Sequence, residues 1–332
     1  PKQMNQNAQT MYGKLRMHQQ SGSYSPLTFL YAVSILAQIS NDSSIQELRQ
    51  VVKFDNKQLL CQVANITNDK QASIVANMFS RRIGQISSAF MSQMMSDYNF
   101  TPEALISAQQ VNQWCSRHTN NKIPELVNDI SDIETIILSA FHFRDEFEKK
   151  FQKELTHEDI FHGLTKSQKQ FMAQTDLFDF AKTKQFTAVK MSFRDSKMQQ
   201  IFAIPTKMEE IDIDEVVNAN FQRKKVELKI PKTKIENTLR LKSILQELGV
   251  KKIFVNINAQ ESLGSVLQVG EIIQKNFIDT NEEGTEAASV TGVIFGKSAA
   301  LAEEAEVFIA NVPFVSLLVY DQQVVMVNSI VE

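Results

Sequence analysis

The sequence contains little glycine and little proline. Ten glycines and seven prolines occur in 332 residues, a combined share of about 5% where roughly 12% is usual. Both residues interrupt helices and strands, so their scarcity predicts long regular elements joined by few sharp turns. No segment rich in proline, glycine and serine divides the chain. The composition therefore marks no domain boundary within residues 1–332.

Cysteine and histidine are also scarce, which excludes several classes of protein. The two cysteines, Cys61 and Cys115, cannot build a disulfide framework and are either two thiols or one pair. These cysteines and the five histidines show no spacing typical of a metal site. We expect no metal and no cofactor.

Charge and hydropathy exclude two kinds of partner. Lys and Arg number 35 against 38 Asp and Glu, a formal net charge of −3, so no basic excess supports nucleic-acid binding. No apolar run reaches the roughly 18 residues of a membrane-spanning helix. The first ten residues, PKQMNQNAQT, do not resemble a signal peptide. The compartment stays open, because the chain is either cytoplasmic or secreted by a removed or unconventional signal.

Helical patterns dominate the first half of the chain. The apolar spacing predicts helices over residues 4–19, 26–39, 87–98 and 107–118. Ser25 suits the N-cap of the second of these helices. A further helix is predicted after Asn41, with Ser44 and Glu47 spaced as a capping box.

Strand patterns dominate the second half. A continuous apolar run over residues 134–143 is typical of a central strand. Further strands are predicted over residues 186–193, 197–204, 225–231, 271–280, 314–320 and 324–331. A short helix over residues 240–249 ends at Gly249. Helices first and strands later indicate an α+β fold with large antiparallel or mixed sheets.

The segment 282–306 has an unusual composition for its place between two predicted strands. It is rich in small side chains and lacks proline, and a loop of this length within a domain is uncommon. One interpretation is a solvated helix or a disordered linker, because Ala and Glu favour helices. The other is an extra strand, since uncharged small or β-branched residues alternate and would share one face: Thr285, Ala287, Ser289, Thr291 and Val293.

Several blocks resemble, in the same order, segments of the serpin family. The block NEEGTEAASVTG (Asn281–Gly292) resembles the hinge of the serpin reactive loop. Other blocks are similar to serpin helix B, helix F, strand 3 of the main sheet and the C-terminal hairpin: SPLTFLYAVSILAQ, VNQWCSRHTNNKI, ETIILSAFHFRDEFEKKF and IANVPFVSLLVYDQQVVMVNSIV. The resemblance runs from about residue 8 to the end of the chain.

The resemblance implies a serpin fold, with three β-sheets, eight or nine helices and an exposed reactive-centre loop at about residues 282–306. It implies a suicide inhibitor of trypsin-like or chymotrypsin-like serine proteases. A protease would cleave the loop and remain attached as an acyl-enzyme while the loop inserts into the main sheet. The expected partner is thus a covalently bound serine protease. The chain itself is expected to be a metastable monomer, not an enzyme, with no catalytic residue of its own.

The resemblance also assigns the hinge and a contact above it. Glu282 and Lys232 match a family ion pair at the top of the main sheet, called the breach. Gly284 supplies a flexible pivot. The residues that follow are uncharged at the inward positions and permit insertion, and they complete the hinge: Thr285, Glu286, Ala287, Ala288 and Ser289.

The position of the reactive bond stays open within a few residues. Counting the usual loop length from Glu282 places Ser298 before the bond, and a loop one residue shorter places Lys297 there. Lys297 suits the acidic pocket of a trypsin-like protease, whereas Phe295 suits a chymotrypsin-like one. Ala299 completes the set of candidates.

Four residues differ from the family pattern, one of them Asn121, which stands where the family has a glycine. The family tryptophan after strand 3 is Phe147, the asparagine of that strand is Ser139, and the histidine before the hinge strand is Gln274. Together with Ser25 and Thr28, the last two match the shutter, where strands of the main sheet must part. We expect Gln274 to hydrogen bond with Ser139, because an amide can both donate and accept.

Two other functions compete with inhibition. A non-inhibitory serpin acts as a carrier, chaperone or storage protein, and the permissive hinge disfavours this alternative. A cysteine hydrolase using Cys115 and His118 lacks a third group that would orient them. No dense basic helix indicates heparin binding.

Overall fold

The computed structural model describes residues 2–68, 71–118, 127–285 and 304–332. Over these residues the chain forms nine α-helices: α1 (Lys2–Lys14), α2 (Pro26–Leu36), α3 (Ser43–Val52), α4 (Asn56–Asn68), α5 (Ser88–Tyr98), α6 (Ala108–His118), α7 (Ile213–Val217), α8 (Lys242–Glu247) and α9 (Gln260–Leu263). None of the helices described is long and apolar enough to cross a membrane.

The strands fall into three sheets of nine, seven and two strands. In chain order they are β1 (Gly22–Tyr24), β2 (Ala72–Ser80), β3 (Glu103–Ala104), β4 (Thr135–Phe143), β5 (Asp145–Glu146), β6 (His157–His162), β7 (Lys166–Lys182), β8 (Phe186–Ser192), β9 (Met198–Pro205), β10 (Gln222–Pro231), β11 (Thr233–Arg240), β12 (Ile257–Ala259), β13 (Ser265–Leu267), β14 (Glu271–Thr280), β15 (Gly284–Thr285), β16 (Glu306–Ile309), β17 (Phe314–Tyr320) and β18 (Gln323–Ile330).

The chain divides into two compact units. The first, here called the sheet unit, comprises Pro1–Ser23, Phe143–Ile235 and Ile278–Glu332. The second, the helical unit, comprises Tyr24–His142 and Glu236–Phe277.

The sheet unit is built on the nine-stranded sheet, whose order is β1-β18-β17-β9-β8-β7-β10-β16, with β6 paired to β7. Its β17–β18 hairpin lies next to β1, and every residue of β18 is buried. The hairpin turns at Asp321 and Gln322, which have φ angles of 46° and 59°. Two successive left-handed residues suit the right-handed twist of the paired strands.

The helical unit combines buried helices with paired strands. Every residue of α2 is buried, as its continuous apolar sequence predicts. Strand β4 pairs in parallel with β14, from Ile136 opposite Glu271 to Ala140 opposite Lys275. Helix α6 contributes Val111 and Trp114 to a core that also holds Ile136 and Ile273 from these strands.

Several predicted elements are confirmed, and one predicted cap is wrong. Ser25 caps α2 by accepting a hydrogen bond from the Thr28 amide at 3.3 Å. The N-cap of α3 is Asp42, not Ser44, because the Asp42 carboxylate accepts the amides of Ser44 and Ile45 at 2.9 and 3.2 Å. A carboxylate at this position also complements the helix dipole. Glu47 accepts the backbone amides of residues 251 and 252 instead.

Candidate functional site

The carboxylate of Glu282 lies buried two residues after the end of β14, at the start of the predicted loop. Its side chain is 7% exposed, and Oε2 lies 3.0 Å from Lys232 Nζ, whose side chain is 41% exposed. The Thr156 hydroxyl donates to Glu282 Oε1 at 2.9 Å. The backbone carbonyl of Glu282 accepts the Phe151 amide at 2.8 Å. The structure therefore brings the predicted Glu282–Lys232 pair together and adds a hydroxyl.

The surroundings of Glu282 favour its charged form. Burial by itself raises the pKa of this carboxyl, but the hydrogen bonds from its own backbone amide, Lys232 and Thr156, with the Lys232 charge, outweigh that effect. The pKa of Glu282 consequently lies below its ordinary value. The group is ionised at neutral pH and anchors the base of the loop as an anion.

An aromatic cluster lies beside Glu283, the residue that follows Glu282. The Phe147 amide donates to the Glu283 carbonyl at 2.8 Å. The buried Phe147 ring stacks on Phe193 at 5.1 Å and meets Phe151 edge to face at 6.1 Å. Lys153 pairs with the Glu283 carboxylate at 2.8 Å. Phenylalanine at residue 147 thus fills a packed position and fixes the backbone of the hinge.

Gly284 lies where no other residue fits. It pairs with Glu146 across β15 and β5, and its φ is +152°. A β-carbon added there would lie 2.2 Å from the Asp145 carbonyl oxygen and 2.7 Å from the Glu146 α-carbon. Glycine is required by close backbone approach as well as by its conformation.

Thr285 is the last residue described at the start of the predicted loop, and it is already part of the sheet. It pairs with Thr280 of β14 on one side and with Asp145 of β5 on the other. The residue is 2% exposed. Its hydroxyl donates to Gln200 Oε1 at 3.2 Å.

Gln274 holds the start of α2, at the predicted shutter. Its amide nitrogen donates to the Ser25 carbonyl at 2.6 Å and to Thr28 Oγ1 at 2.8 Å. Its carbonyl oxygen accepts the Ser25 amide at 3.0 Å. Ser139 is Gln274's neighbour across the β4–β14 register, but its buried hydroxyl has no hydrogen-bond partner among the described residues. The predicted Gln274–Ser139 side-chain bond is wrong, because both amide hydrogens and the carbonyl oxygen of Gln274 are used on Ser25 and Thr28.

The remaining predicted residues lie outside the part of the chain that the structure describes. They are the later hinge residues and the candidates for the reactive bond: Glu286, Ala287, Ala288, Ser289, Phe295, Lys297, Ser298 and Ala299.

A comparison with protein families gives the decisive observation. A family model described as serpin (serine protease inhibitor) matches residues 2–330. The chain is a serpin. Its predicted α+β serpin fold is confirmed, with nine α-helices and three sheets in the described residues.

Curated relatives agree with this assignment. Human Serpin B3 is 24% identical over 88% of this chain and 87% of its own length. The leukocyte elastase inhibitor of Xenopus tropicalis is 25% identical over 92% and 91%. A serpin-like protein of Thermococcus kodakarensis is 25% identical over 65% of this chain and only 54% of its own length, so this match spans about half of that relative.

Solved structures share the fold at lower identity. Serpin48 of the insect Tenebrio molitor superposes with a TM-score of 0.84 and 20% identity, covering 100% of this chain and 97% of its own. Human thyroxine-binding globulin bound to its hormone superposes with a TM-score of 0.86 and 16% identity, covering 100% and 98%. Serpins are mostly protease inhibitors rather than enzymes, but the globulin shows that the fold also carries ligands.

The environment of Cys115 opposes the cysteine-hydrolase alternative. Burial raises the pKa of the Cys115 thiol to about 11, so the thiol is neutral at physiological pH. His118 stacks on Trp114 at 4.4 Å, and its Nδ1 lies 2.8 Å from the Trp114 carbonyl oxygen. This histidine is engaged by its own helix. Among the described residues, no group of three His, Cys, Asp or Glu side chains forms a metal site.

The sequence alone did not identify two residues that hydrogen bond to the hinge of this serpin, Thr156 and Gln200. Thr156 is 126 residues from Glu282, and no local pattern links them. Gln200 did leave a signal, because it stands in phase with Met198 and Phe202, the inward-facing residues of a predicted strand. A glutamine at an inward position predicts a buried amide with partners.

Proposed function

We propose that this serpin is a suicide inhibitor of trypsin-like or chymotrypsin-like serine proteases, with residues 1–332 acting as one domain. The observation that carries the proposal is the pairing of Thr285 with both Thr280 and Asp145. A chain already paired as a strand at this point can continue into the sheet. The residues that follow, Glu286 to Ser289, place no charge at the inward positions.

The proposed reaction takes place on the partner enzyme. The protease serine attacks the carbonyl carbon before the reactive bond, an ester forms to its Oγ, and the C–N bond breaks. The proton from the serine goes to the new amino group. The loop upstream of the cut is then free to follow Thr285 into the sheet with the protease attached, and the added strand gains backbone hydrogen bonds and apolar burial.

Insertion has to outrun hydrolysis of this ester. The tethered protease is carried away from the loop's original position, and its catalytic groups lose their alignment when it is pressed against the body of the serpin. An ester whose serine, histidine and oxyanion hole are misaligned hydrolyses slowly. The complex therefore persists as a covalent adduct.

Lys297 is the residue we propose to precede the reactive bond. A lysine at this position fits a trypsin-like specificity pocket, and Phe295 is the corresponding residue for a chymotrypsin-like one. Ser298 and Ala299 remain the neighbouring candidates. The name of the Xenopus relative, a leukocyte elastase inhibitor, supports protease inhibition as the class of activity.

The main alternative is a carrier, chaperone or storage role. The similarity to thyroxine-binding globulin at 16% identity supports a shared fold but no shared ligand. The docked and buried Thr285 favours insertion over this alternative.

The test is incubation with trypsin and with chymotrypsin, followed by denaturing electrophoresis and mass analysis of the released peptide. We expect a band at the summed mass that survives SDS, absent when the protease serine is replaced by alanine. Lys297→Gln should abolish the trypsin adduct if Lys297 precedes the bond, and the peptide mass identifies the bond directly. Cleavage without any adduct, by either protease, would contradict inhibition and favour the carrier alternative.

A further inference from the structure

A buried glutamine lies beneath the hinge. Gln200, on β9, is 1% exposed. Its amide nitrogen donates to Ser316 Oγ at 2.8 Å and to Thr280 Oγ1 at 3.3 Å, while its carbonyl oxygen accepts the Thr285 hydroxyl at 3.2 Å. Hydroxyls from three strands therefore converge on a single side chain.

The four side chains form a closed hydrogen-bonded group. Thr280, Thr285 and Ser316 are each buried, so a hydroxyl that lost its partner could not turn to water. An amide donates and accepts at the same time. Gln200 can therefore donate to the Thr280 and Ser316 hydroxyl oxygens while it accepts the Thr285 hydroxyl. An apolar residue at this position would leave all three without it.

Thr285 connects this group to the loop. It is the first hinge residue whose side chain points inward, and its backbone already pairs with Thr280 and Asp145. When the loop inserts, Thr285 is the first residue of the new strand. Because Thr285 is already paired with both strands, insertion of the loop begins with the residue that follows it.

We propose that Gln200 is a positioning residue that keeps Thr285 docked in the sheet and so accelerates insertion of the cleaved loop. This inference rests on the proposed function and adds a determinant of its efficiency. Gln200 is expected to act after the loop is cut, because its hydrogen-bond partners are Thr285 and two neighbouring strands. It governs how often the acyl-enzyme is trapped and how often it hydrolyses.

Four variants separate this role from general stability. Gln200→Leu keeps the approximate volume and removes the amide, and Thr285→Val keeps the shape of threonine and removes the hydroxyl. Thr285→Ser is the conservative variant that retains the bond. Gln199→Leu is the matched control, since the neighbouring residue on a strand points to the opposite face and is half-buried.

The first measurement needs no protease. Hydrogen–deuterium exchange in a peptide spanning residues 278–285 reports docking of the hinge. We expect Gln200→Leu and Thr285→Val to raise its exchange rate about threefold or more, as the loss of one net hydrogen bond predicts. Thr285→Ser and Gln199→Leu should match the parent. Unchanged exchange in both Gln200→Leu and Thr285→Val would overturn the docking role.

The second measurement is the number of serpin molecules consumed per protease trapped, with trypsin. Gln200→Leu and Thr285→Val should raise this number at least about twofold while the rate of loop cleavage stays that of the parent. If the parent traps neither trypsin nor chymotrypsin, the proposed function fails while the exchange data still decide whether Gln200 docks the hinge; if it traps chymotrypsin alone, the number is measured with chymotrypsin. If the parent traps protease and the variants exchange faster without consuming more serpin, the effect on insertion is overturned.

Discussion

At the scale of single residues, the hinge depends on buried polar side chains with partners far away in the chain. Glu282 is the clearest case, with one partner 50 residues away and another 126 residues away. A buried carboxylate is tolerated only when such partners compensate its lost hydration. Each of these contacts is therefore a point at which a single substitution changes the hinge.

Replacing Glu282 by glutamine should destabilise the protein moderately. Glu282→Gln keeps the shape and can still accept the Thr156 hydroxyl, but it loses the charge opposite Lys232. Because Lys232 is 41% exposed, solvent screens the pair, and we expect a loss of about 1 kcal/mol of unfolding free energy. Chemical denaturation measures it. Glu306→Gln, which removes a more exposed pair with Lys224, is the control and should change less; an equal loss would contradict the special role of Glu282.

The contribution of Glu282 should also depend on pH. Its folded pKa is lower than its ordinary value of 4.5, so the stabilisation is fully present above about pH 4.5 and is lost as the pH falls through the folded pKa. The difference in stability between the parent and Glu282→Gln should thus be constant near neutral pH and shrink in acid. Denaturation curves between pH 3 and 7 give this difference. A gap that widens in acid would show that the sign is wrong.

Gly284 should not accept even a methyl group. Gly284→Ala places a β-carbon against the Asp145 carbonyl at 2.2 Å in a conformation that L-residues avoid, at a cost of about 1–3 kcal/mol. We expect a lower Tm and faster amide exchange over residues 278–285. Gly13→Ala is the control, because nothing lies within 4 Å of its added carbon and alanine favours the helix. Equal Tm values for the two variants would contradict the account of Gly284.

At the scale of elements, the side chain of Gln274 joins β14 to the start of α2 and not, as expected, to Ser139 of β4. Gln274 uses both ends of its amide on Ser25 and Thr28, which leaves the Ser139 hydroxyl without a partner among the described residues. Strand β14 is consequently held to the start of a buried helix, and the β4–β14 pairing rests on backbone bonds and apolar contacts. The two polar residues of the shutter therefore have opposite effects on stability.

Substitutions at these two residues should move Tm in opposite directions. Gln274→Leu removes the acceptor of the buried Ser25 amide and two donated hydrogen bonds, a loss of about 1–3 kcal/mol, and should lower Tm by several degrees. Ser139→Ala removes a hydroxyl that is buried without compensation, so it should leave Tm unchanged or raise it. Thermal unfolding of the parent and the two variants measures these changes in Tm. A marked fall for Ser139→Ala, or none for Gln274→Leu, would contradict this assignment of partners.

The elements that the sequence predicted well are those with a strong apolar pattern. The runs that became α2, β4 and the β17–β18 hairpin are buried through their length, and their composition leaves little choice of structure. The elements that were missed, α4 and β7, have mostly polar sequences. Strand β7 is also exposed along much of its 17 residues. Polar exposed segments take their structure from neighbouring strands, which a local pattern does not contain.

The same reasoning explains how much of the site was predictable. Glu282, Lys232, the hinge and the place of Gln274 in the shutter were found through resemblance to a family. The choice of partners did not follow, because Gln274 bonds to residues 246 and 249 positions away. Partner choice depends on packing between elements, and at Gln274 it overturned the expected Ser139 bond.

At the scale of the whole molecule, loop insertion should make the cleaved protein more stable than the intact protein. Under the proposed mechanism, cleavage would free the residues that follow Thr285 to become a further strand. A strand of about ten residues adds about ten backbone hydrogen bonds, each worth about 1 kcal/mol net. The native protein would then be secured by a kinetic barrier rather than by equilibrium stability.

The most direct measurement of this claim is the Tm of the protein before and after one cut in the loop, with the cut located by mass analysis within residues 286–303. The account predicts a rise of at least about 20 °C, since each kcal/mol is worth about 2–4 °C in a chain of this size. Thr285→Arg, with a charge at the first inward position, is the control and should not show the rise after the same cut. An unchanged Tm in the cleaved parent would contradict loop insertion, and with it the inhibitory mechanism.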